Sequence, residues 1–317
     1  MHIEDFLDKS KIAFEEKVHL SKKTWIKTGG VCTYWITPVS VAQLTEVCRF
    51  LYVNNISFDI IGQTSNIFFH PSYNPQVVVS TIRVNGYSIE GDTLICDCGV
   101  SVMRLAKACM SAGYAGFYGL LGLPGTVAAA VTNNAGCFNC SISSMLTSAD
   151  VLMPEGTVQT FTRDEFGYEK RSSIFKRGEV KGVVLSVKLK LQKAESIEEE
   201  FKKSEKTKQY RIIHQEGYAN NLGSIYARKK LRRNFKNLFS LAVEKLVEML
   251  GVSNSVLIKK HILLRLYGYR DLEHYISDKN INIFVWRDDY SEQAFERYKQ
   301  FMSEVFRFLE IEIEEKK

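Results

Sequence analysis

The hydrophobic positions of this chain follow two rhythms. Val41, Leu44, Cys48 and Leu51 recur at helical spacing with Asn54 and Asn55 as an exit, and SVMRLAKACMSAG sets Ser101 as N-cap and Gly113 as C-terminal stop. Two more amphipathic helices are read from LFSLAVEKLVEMLGV and SEQAFERYKQFMSEVFRFL. The second carries Ala294, Tyr298, Phe301, Val305 and Leu309 on one face, with Ser291 as its cap. The other rhythm is alternation. Val77 to Ile82 and Thr93 to Cys98 read as strands, with IEGD as a tight turn between them. Val183, Leu185, Val187, Leu189 and Leu191 alternate with Ser186, Lys188 and Lys190, a strand with one buried face. The stretch AESIEEEFKKSEKTKQYR has no periodic apolar face. It reads as a solvated helix or connector and as a domain boundary near residue 195. Strands and helices mix on both sides of it without an internal repeat, so the class is α+β.

Composition narrows the partners. At 317 residues, 45% hydrophobic and 25% charged, the chain is long enough for two or three domains with cores of their own. MHIEDFLDKSKIAFEEKV holds acidic residues and no long apolar run, and no later segment nears twenty apolar residues. Neither a signal peptide nor a membrane span is expected, and the setting is read as cytoplasmic. The net charge of +6 is spread along the chain and suits anionic small molecules and nucleic acid alike. The basic runs KKSEKTKQYR and RKKLRR lack interleaved aromatic platforms and read as solvated helix faces, so no nucleic-acid partner is expected. The seven cysteines are read as buried thiols. Cys137-Phe138-Asn139-Cys140 and the Cys96/Cys98 pair have neither zinc-site spacing nor a thioredoxin-like context, and no metal is expected.

Candidate chemistry begins at GLLGLPGTVAAAVTNNAG, Gly119 to Gly136, a stretch of small residues almost without charge. So bare a backbone is costly in entropy and implies the close approach of another backbone or of a ligand. Glycines at 119, 122 and 125 do not spell G-x-G-x-x-G, and no G-K-[ST] follows, which excludes a Rossmann turn and a Walker loop. A second small polar turn lies upstream in IIGQTSNIFF, where a strand end runs into Gly62, Gln63, Thr64, Ser65 and Asn66. Successive amides in such a turn form an anion-binding nest, and two such loops suit a dinucleotide. Tight structural turns between strands suit the composition equally well.

A resemblance separates the two readings. KTWIKTGGVCTYWITP at Lys23 to Pro38, IGQTSNIFF at Ile61 to Phe69 and GLPGTVAAAVTNNAG at Gly122 to Gly136 resemble the three successive signatures of the UDP-N-acetylenolpyruvoylglucosamine reductases, in the same order and spacing. FGYEKRSSIFK, NNLGSIYARK and the terminal LEIEI continue the likeness, which is strong over the first half and thin over the last hundred residues. It implies a two-part FAD-binding module of the vanillyl-alcohol-oxidase (PCMH) type, residues 1–80 and 81–195, followed by a smaller α+β substrate-binding domain, residues 196–317. It also implies FAD as cofactor, NADPH as hydride donor, a nucleotide-sugar substrate and a monomer. The reaction would reduce an enolpyruvyl ether to a lactyl ether in peptidoglycan precursor synthesis.

The same likeness implies roles residue by residue. FAD would be cradled by Gly62, Gln63, Thr64, Ser65 and Asn66 from one loop, and by Gly122, Pro124, Gly125, Thr126, Ala128, Asn134, Ala135 and Gly136 from the other. Arg171 would bind the substrate carboxylate, Ser224 would supply a proton, and Glu312 matches the last catalytic position. Glu310 remains open as an alternative, because alternation sets Glu310, Glu312 and Glu314 on one strand face that could equally be a solvated edge. Tyr168 and Lys170 would join Arg171 and Ser224 in contacting substrate.

The chain also departs from the family pattern. Ala128-Ala129 replaces Gly-Gly, Lys170 replaces the tyrosine before the arginine, and Ser141 replaces a usual glutamate. Tyr226-Ala227-Arg228-Lys229 replaces Phe-Lys-Asn-Pro, and no His-Ala-Asn segment is recognisable near Asn280 to Val285. Alanine is tolerated in place of glycine at negative φ and not at positive φ, so the alanine pair bears on how flavin would sit. The departures leave room for a paralogue acting on another nucleotide-linked sugar, or for a catalytically silent flavin-binding module, against which Arg171 and Ser224 argue.

Overall fold

The computed structural model describes residues 2–217, 220–251, 255–287 and 290–317. The chain forms two compact units. One comprises Met1–Lys22, Gly30–Thr64 and Asn74–Lys208; the other comprises Lys23–Gly29, Ser65–Tyr73 and Gln209–Lys317. The division at Lys208 falls inside a helix, Ile197–His214, into which the charged stretch folds. That helix is not solvated all round: Glu200 is buried and accepts from the Gly116 N–H at 3.1 Å and from Lys203 Nζ at 2.8 Å.

The first unit is built on two larger sheets. Ala13–His19, Val31–Thr37, Val77–Ser80 and Phe58–Ile61 lie in that order, the first pair antiparallel and the other pairs parallel. Val77, Val78 and Val79 are fully buried, as a strand with parallel neighbours on both sides requires. The helix Val41–Val53 packs Leu44, Val47, Cys48 and Leu51 into the same core, and Ser40 Oγ caps it by accepting from the Gln43 N–H at 3.2 Å. The second sheet is antiparallel throughout, in the order Val158–Thr162, Leu146–Leu152, Val183–Lys190, Thr93–Asp97, Tyr87–Glu90. The helix Val102–Ser111 contributes Leu105, Ala106 and Cys109 to its core.

The strands expected over Val77 to Ile82 and Thr93 to Cys98 stop at Ser80 and Asp97. IEGD is a hairpin turning at Gly91 and Asp92, with Gly91 at φ +62, and its first arm is the strand Tyr87–Glu90. That strand is short, polar and mostly exposed, so it has no hydrophobic alternation to announce it.

In the second unit Tyr226–Leu231 pairs antiparallel with Phe306–Ile311, and Glu314–Lys316 pairs parallel with Ile67–Phe69. The helices Phe235–Met249, Ser255–Tyr267 and Glu292–Val305 complete it around Phe284, Phe295, Tyr298 and Phe301, all fully buried. Ser291 Oγ caps the last helix by accepting from Ala294 N at 3.3 Å. Two expectations need correction here. Leu309 belongs to the strand Phe306–Ile311, because the helix ends at Val305. Glu310, Glu312 and Glu314 do not share one strand face, because the strand stops at Ile311 and a new one starts at Glu314. The cause is a change of pairing partner: the Glu312 N–H donates to Ile225 O at 2.8 Å, and the Glu314 N–H to Asn66 O at 2.9 Å.

Six of the seven cysteines are buried, Cys137 is half-buried, and none is bridged. Cys137 and Cys140 face each other across a hairpin whose turn, Phe138 and Asn139, has positive φ at both positions. Burial pushes the Cys98 and Cys109 thiols up to about 12, which keeps both protonated. Among the described residues no helix is long and apolar enough to cross a membrane.

Candidate cofactor and substrate site

The two bare loops meet within the first unit. Strand Phe58–Ile61 delivers Gly62, Gln63 and Thr64, and Gln63 Oε1 accepts from the Gly125 N–H at 2.8 Å. At Gly62 a Cβ would lie 2.4 Å from Thr126 Oγ1, so a side chain there would wedge the loops apart. Gly125 sits at φ +127 and Thr64 at φ +55, backbone settings that favour glycine and cost a threonine about 1 kcal/mol.

The second loop also serves as a cap. Ser101 occupies the N-cap position of the Val102–Ser111 helix but makes no side-chain cap bond. The Val102 N–H is taken instead by Gly125 O at 3.0 Å, while Val127 N donates to Val100 O and Ala128 N to Cys98 O. A carbonyl of the bare loop thus satisfies the first free N–H of the helix, which fixes the loop beside the second sheet. Helix Val127–Thr132 follows, with Ala128 and Ala129 inside it and neither at positive φ. The methyl groups that replace the family's glycines therefore stand in ordinary helical geometry.

The end of this helix organises the arginine. Asn134 takes the left-handed position after it, φ +48, and Ala135 N donates to Ala130 O at 2.8 Å, a Schellman closure. The Asn134 side chain reaches outward: Nδ2 donates to Glu169 O at 2.6 Å, and Oδ1 accepts from Ser143 Oγ at 2.5 Å. Glu169 and Ser172 exchange both backbone hydrogen bonds, closing a tight turn over Lys170 and Arg171 in which Arg171 has φ +58. Arg171 Nη1 donates back to Asn134 O at 3.4 Å, and Ser173 Oγ, fully buried, donates to Thr132 O at 2.5 Å. A bulky residue in left-handed geometry, held by three contacts to the end of one helix, is a built arrangement and not a loose loop.

The remaining residues of this set are less uniform. Lys170 is exposed. Tyr168 stacks on Phe166 with ring centroids 5.3 Å apart, its hydroxyl is buried without a partner, and burial pushes its pKa up. Gly136 is bare for the sake of the chain itself, since a Cβ there would meet Cys140 O at 2.5 Å. Gly119 behaves likewise against Cys137 O at 2.4 Å. Ser141, in the place of the family's glutamate, bonds Ser143 Oγ at 2.6 Å.

Ser65, Asn66, Ser224 and Glu312 belong to the second unit. Ser224 is half-buried and follows Gly223, at φ +72, whose N–H donates to Asn221 Oδ1 at 3.0 Å. The next residue, Ile225, accepts from the Glu312 N–H, and Asn66 Nδ2 donates to Glu312 O at 3.1 Å. Asn66, Ser224 and Glu312 are thereby gathered around one stretch of backbone. Glu310 is exposed and paired with Arg228 at 3.1 Å. Glu312 is half-buried.

Sequence reasoning missed Asn282. It is buried, and its side chain clamps Tyr226 from both sides, accepting from the N–H at 3.2 Å and donating to the carbonyl at 2.9 Å. It lies in the segment where no family motif was recognisable; an asparagine between apolar residues, Ile281 and Ile283, was the available signal. A second missed cluster surrounds buried His70, which bonds Glu292 through Nδ1 and Glu315 through Nε2. Lys299 lies 2.7 Å from Glu296 and 3.2 Å from Glu315, so the carboxylates that could hold a cation with His70 are neutralised by an ammonium.

A flavin dinucleotide fits the first unit. Gly62, Gly122, Gly125, Ala128 and Ala129 present no side chain larger than a methyl group, and Ser80 Oγ, opposite Ile61 at the mouth of the first loop, is buried with no partner. Comparison with known proteins agrees. The family model of the FAD binding domain matches residues 33–162. The chain is 27% identical over 183 residues to UDP-N-acetylenolpyruvoylglucosamine reductase 2 of Bacillus cereus, covering 58% of this chain and 59% of that protein. It is 30% identical over 174 residues to the corresponding reductase of Streptococcus uberis, covering 54% and 56%. The matched stretch thus spans a little under three fifths of these relatives. Among solved structures, the UDP-N-acetylenolpyruvylglucosamine reductase of Thermus caldophilus superposes with a TM-score of 0.67 at 20% identity, covering 96% of this chain and 99% of that one. The fold implied by the motif order, an FAD-binding module of the PCMH type followed by an α+β domain, is the fold observed.

Proposed function

We propose that this divergent relative of the UDP-N-acetylenolpyruvoylglucosamine reductases is an FAD-dependent oxidoreductase that reduces the enolpyruvyl ether of UDP-N-acetylglucosamine to the lactyl ether of UDP-N-acetylmuramate. NADPH is the hydride donor, and the step serves peptidoglycan precursor synthesis in the cytoplasm. The observation that carries the reading is the Gln63 to Gly125 hydrogen bond, which joins the two family signatures into one cradle.

FAD would be held by residues 62–66 and by Gly122, Pro124, Gly125, Thr126, Ala128, Asn134, Ala135 and Gly136. When bound it supplies hydride transfer to the substrate's methylene carbon. The guanidinium of Arg171 offsets the charge that develops on the enolpyruvyl carboxylate, which is worth most when the group is already aimed, as its anchored turn supports. The Ser224 hydroxyl gives the proton that completes the adjacent carbon; a hydroxyl can do so only if it is held in place. Glu312 is the preferred carboxylate over Glu310, whose charge is spent on Arg228 at the surface. Tyr168 and Lys170 complete the substrate contacts.

The test has two stages. The purified protein carries flavin, and NADPH oxidation accelerates on adding UDP-N-acetylglucosamine enolpyruvate. Ser224→Ala then keeps flavin reduction by NADPH while substrate turnover falls by about 10²–10⁴. Equal losses in both half-reactions would make Ser224 structural, and protein that cannot be reconstituted with FAD would sink the whole reading. A second reading keeps the chemistry and changes the sugar. The exposed Lys170 favours it, since an ammonium stands where the family has tyrosine. Active flavoprotein that is silent toward this substrate would select it.

A further inference from the structure

The helix Phe235–Met249 is built inside out. Asn237 and Ser240 are fully buried: Asn237 Nδ2 donates to Arg232 O at 2.8 Å and Val305 O at 2.9 Å, and Ser240 Oγ donates to Asn237 O. Glu244, on the same inner side, takes Lys259 at 2.7 Å. Phe235 is 81% exposed, Leu238 57%, Leu246 55% and Met249 84%, with Phe239 and Leu250 also in solvent. With exposed Ala242 between Leu238 and Leu246, these residues recur at three- and four-residue spacing and form one continuous apolar stripe along the outer face. A single exposed leucine needs no explanation, whereas a contiguous patch of this kind marks an interface.

We propose that this stripe is where two copies of the chain associate, their Phe235–Met249 helices antiparallel across a two-fold axis at Ala242. The stripe is self-complementary about that residue. Phe235 and Met249 lie seven positions to either side, and Leu238 and Leu246 four. In the antiparallel pair Phe235 of one copy meets Met249 of the other, Leu238 meets Leu246, and the two small Ala242 side chains let the backbones close at the crossing point. The charges agree. Arg232, Arg233 and Lys236 crowd the N-terminal end and Glu248 the C-terminal end, which opposes the dipole of the helix taken alone. Antiparallel pairing sets each basic end beside the other copy's C-terminal carbonyls and glutamate. Phe235, Leu238, Leu246, Met249 and Leu250 each keep more than half of their surface in water, the apolar surface that a two-fold pairing would bury. This differs from the monomer expected from sequence alone.

Sedimentation of the full chain with its flavin tests the proposal. The expected mass is twice the 36.2 kDa of one chain. Ala242→Arg and Leu246→Asp each raise the dimer dissociation constant at least about tenfold, while circular dichroism and flavin content stay unchanged because both side chains face solvent. Ala242→Cys under mild oxidant gives a disulfide-linked dimer, against a background of native cysteines that are buried or half-buried. A monomeric wild-type chain overturns the proposal, as does a dimer indifferent to both charged variants or one that leaves Cys at position 242 uncrosslinked. Monomers that bind anionic vesicles through the stripe would assign it to a membrane surface and overturn it as well.

Discussion

The loop Gly119–Gly136 and the helix Phe235–Met249 are opposite solutions to the same problem, that of an element whose side chains do not all suit the interior. The loop removes side chains. Gly119 and Gly136 let backbone meet backbone, Gly62 makes room for Thr126, and every turn is tied to a sheet or to the next helix. The helix turns two polar side chains inward, where Asn237 and Ser240 find backbone partners, and leaves Phe235, Leu238, Leu246 and Met249 in water. Close contact within the chain accounts for the bareness of Gly119 and Gly136 in the first element. The second retains surface to spend on something else.

The sharpest way to break this contrast is to add one methyl group. At Gly119 a Cβ meets the Cys137 carbonyl, which cannot rotate away, so Gly119→Ala should cost at least about 1–3 kcal/mol and most of the bound flavin. Gly217→Ala in the second unit faces open space at an ordinary φ and should change the denaturation midpoint little. Equal effects in urea titrations of the two variants would mean that the loop's bareness is not steric. A smaller effect tests whether buried polar side chains hold the second unit. Asn282→Ala strands the Tyr226 N–H and carbonyl and should cost about 1–3 kcal/mol without lowering flavin content.

The smallest effect depends on pH. Desolvation pushes the Glu315 carboxyl up, but Lys299, His70 and Lys317 together outweigh it and hold the pKa below the ordinary value, with Glu292 and Glu296 the other acids facing the cluster. A depressed folded-state pKa gives stability that is present above the unfolded value, about 4.3, and is lost as pH falls through the folded one. Acid should therefore weaken the second unit below the usual glutamate range, and Glu315→Gln should flatten that limb of a stability–pH profile. An unchanged limb would place the acid sensitivity elsewhere.

The legibility of the sequence follows the same divide. Where apolar periodicity points inward, as in Val41–Val53 and Val183–Lys190, pattern and structure coincide because burial is what the pattern records. In Phe235–Met249 the same kind of pattern located a helix correctly but not its orientation, since periodicity reports that a face exists and not what covers it. Glu310 and Glu312 could not be told apart by alternation, because the switch of pairing from Ile225 to Asn66 is a contact between residues far apart in the chain. The same holds for the contacts that Asn282 makes with Tyr226.

Ala128 and Ala129 end as more than tolerated replacements. Because both sit in a helix at negative φ, they restrict the unfolded chain more than two glycines would, and each such exchange stabilises a fold by about 0.4–1 kcal/mol. In a stretch otherwise given over to flexible residues, they make the ordered loop cheaper to form before any cofactor arrives.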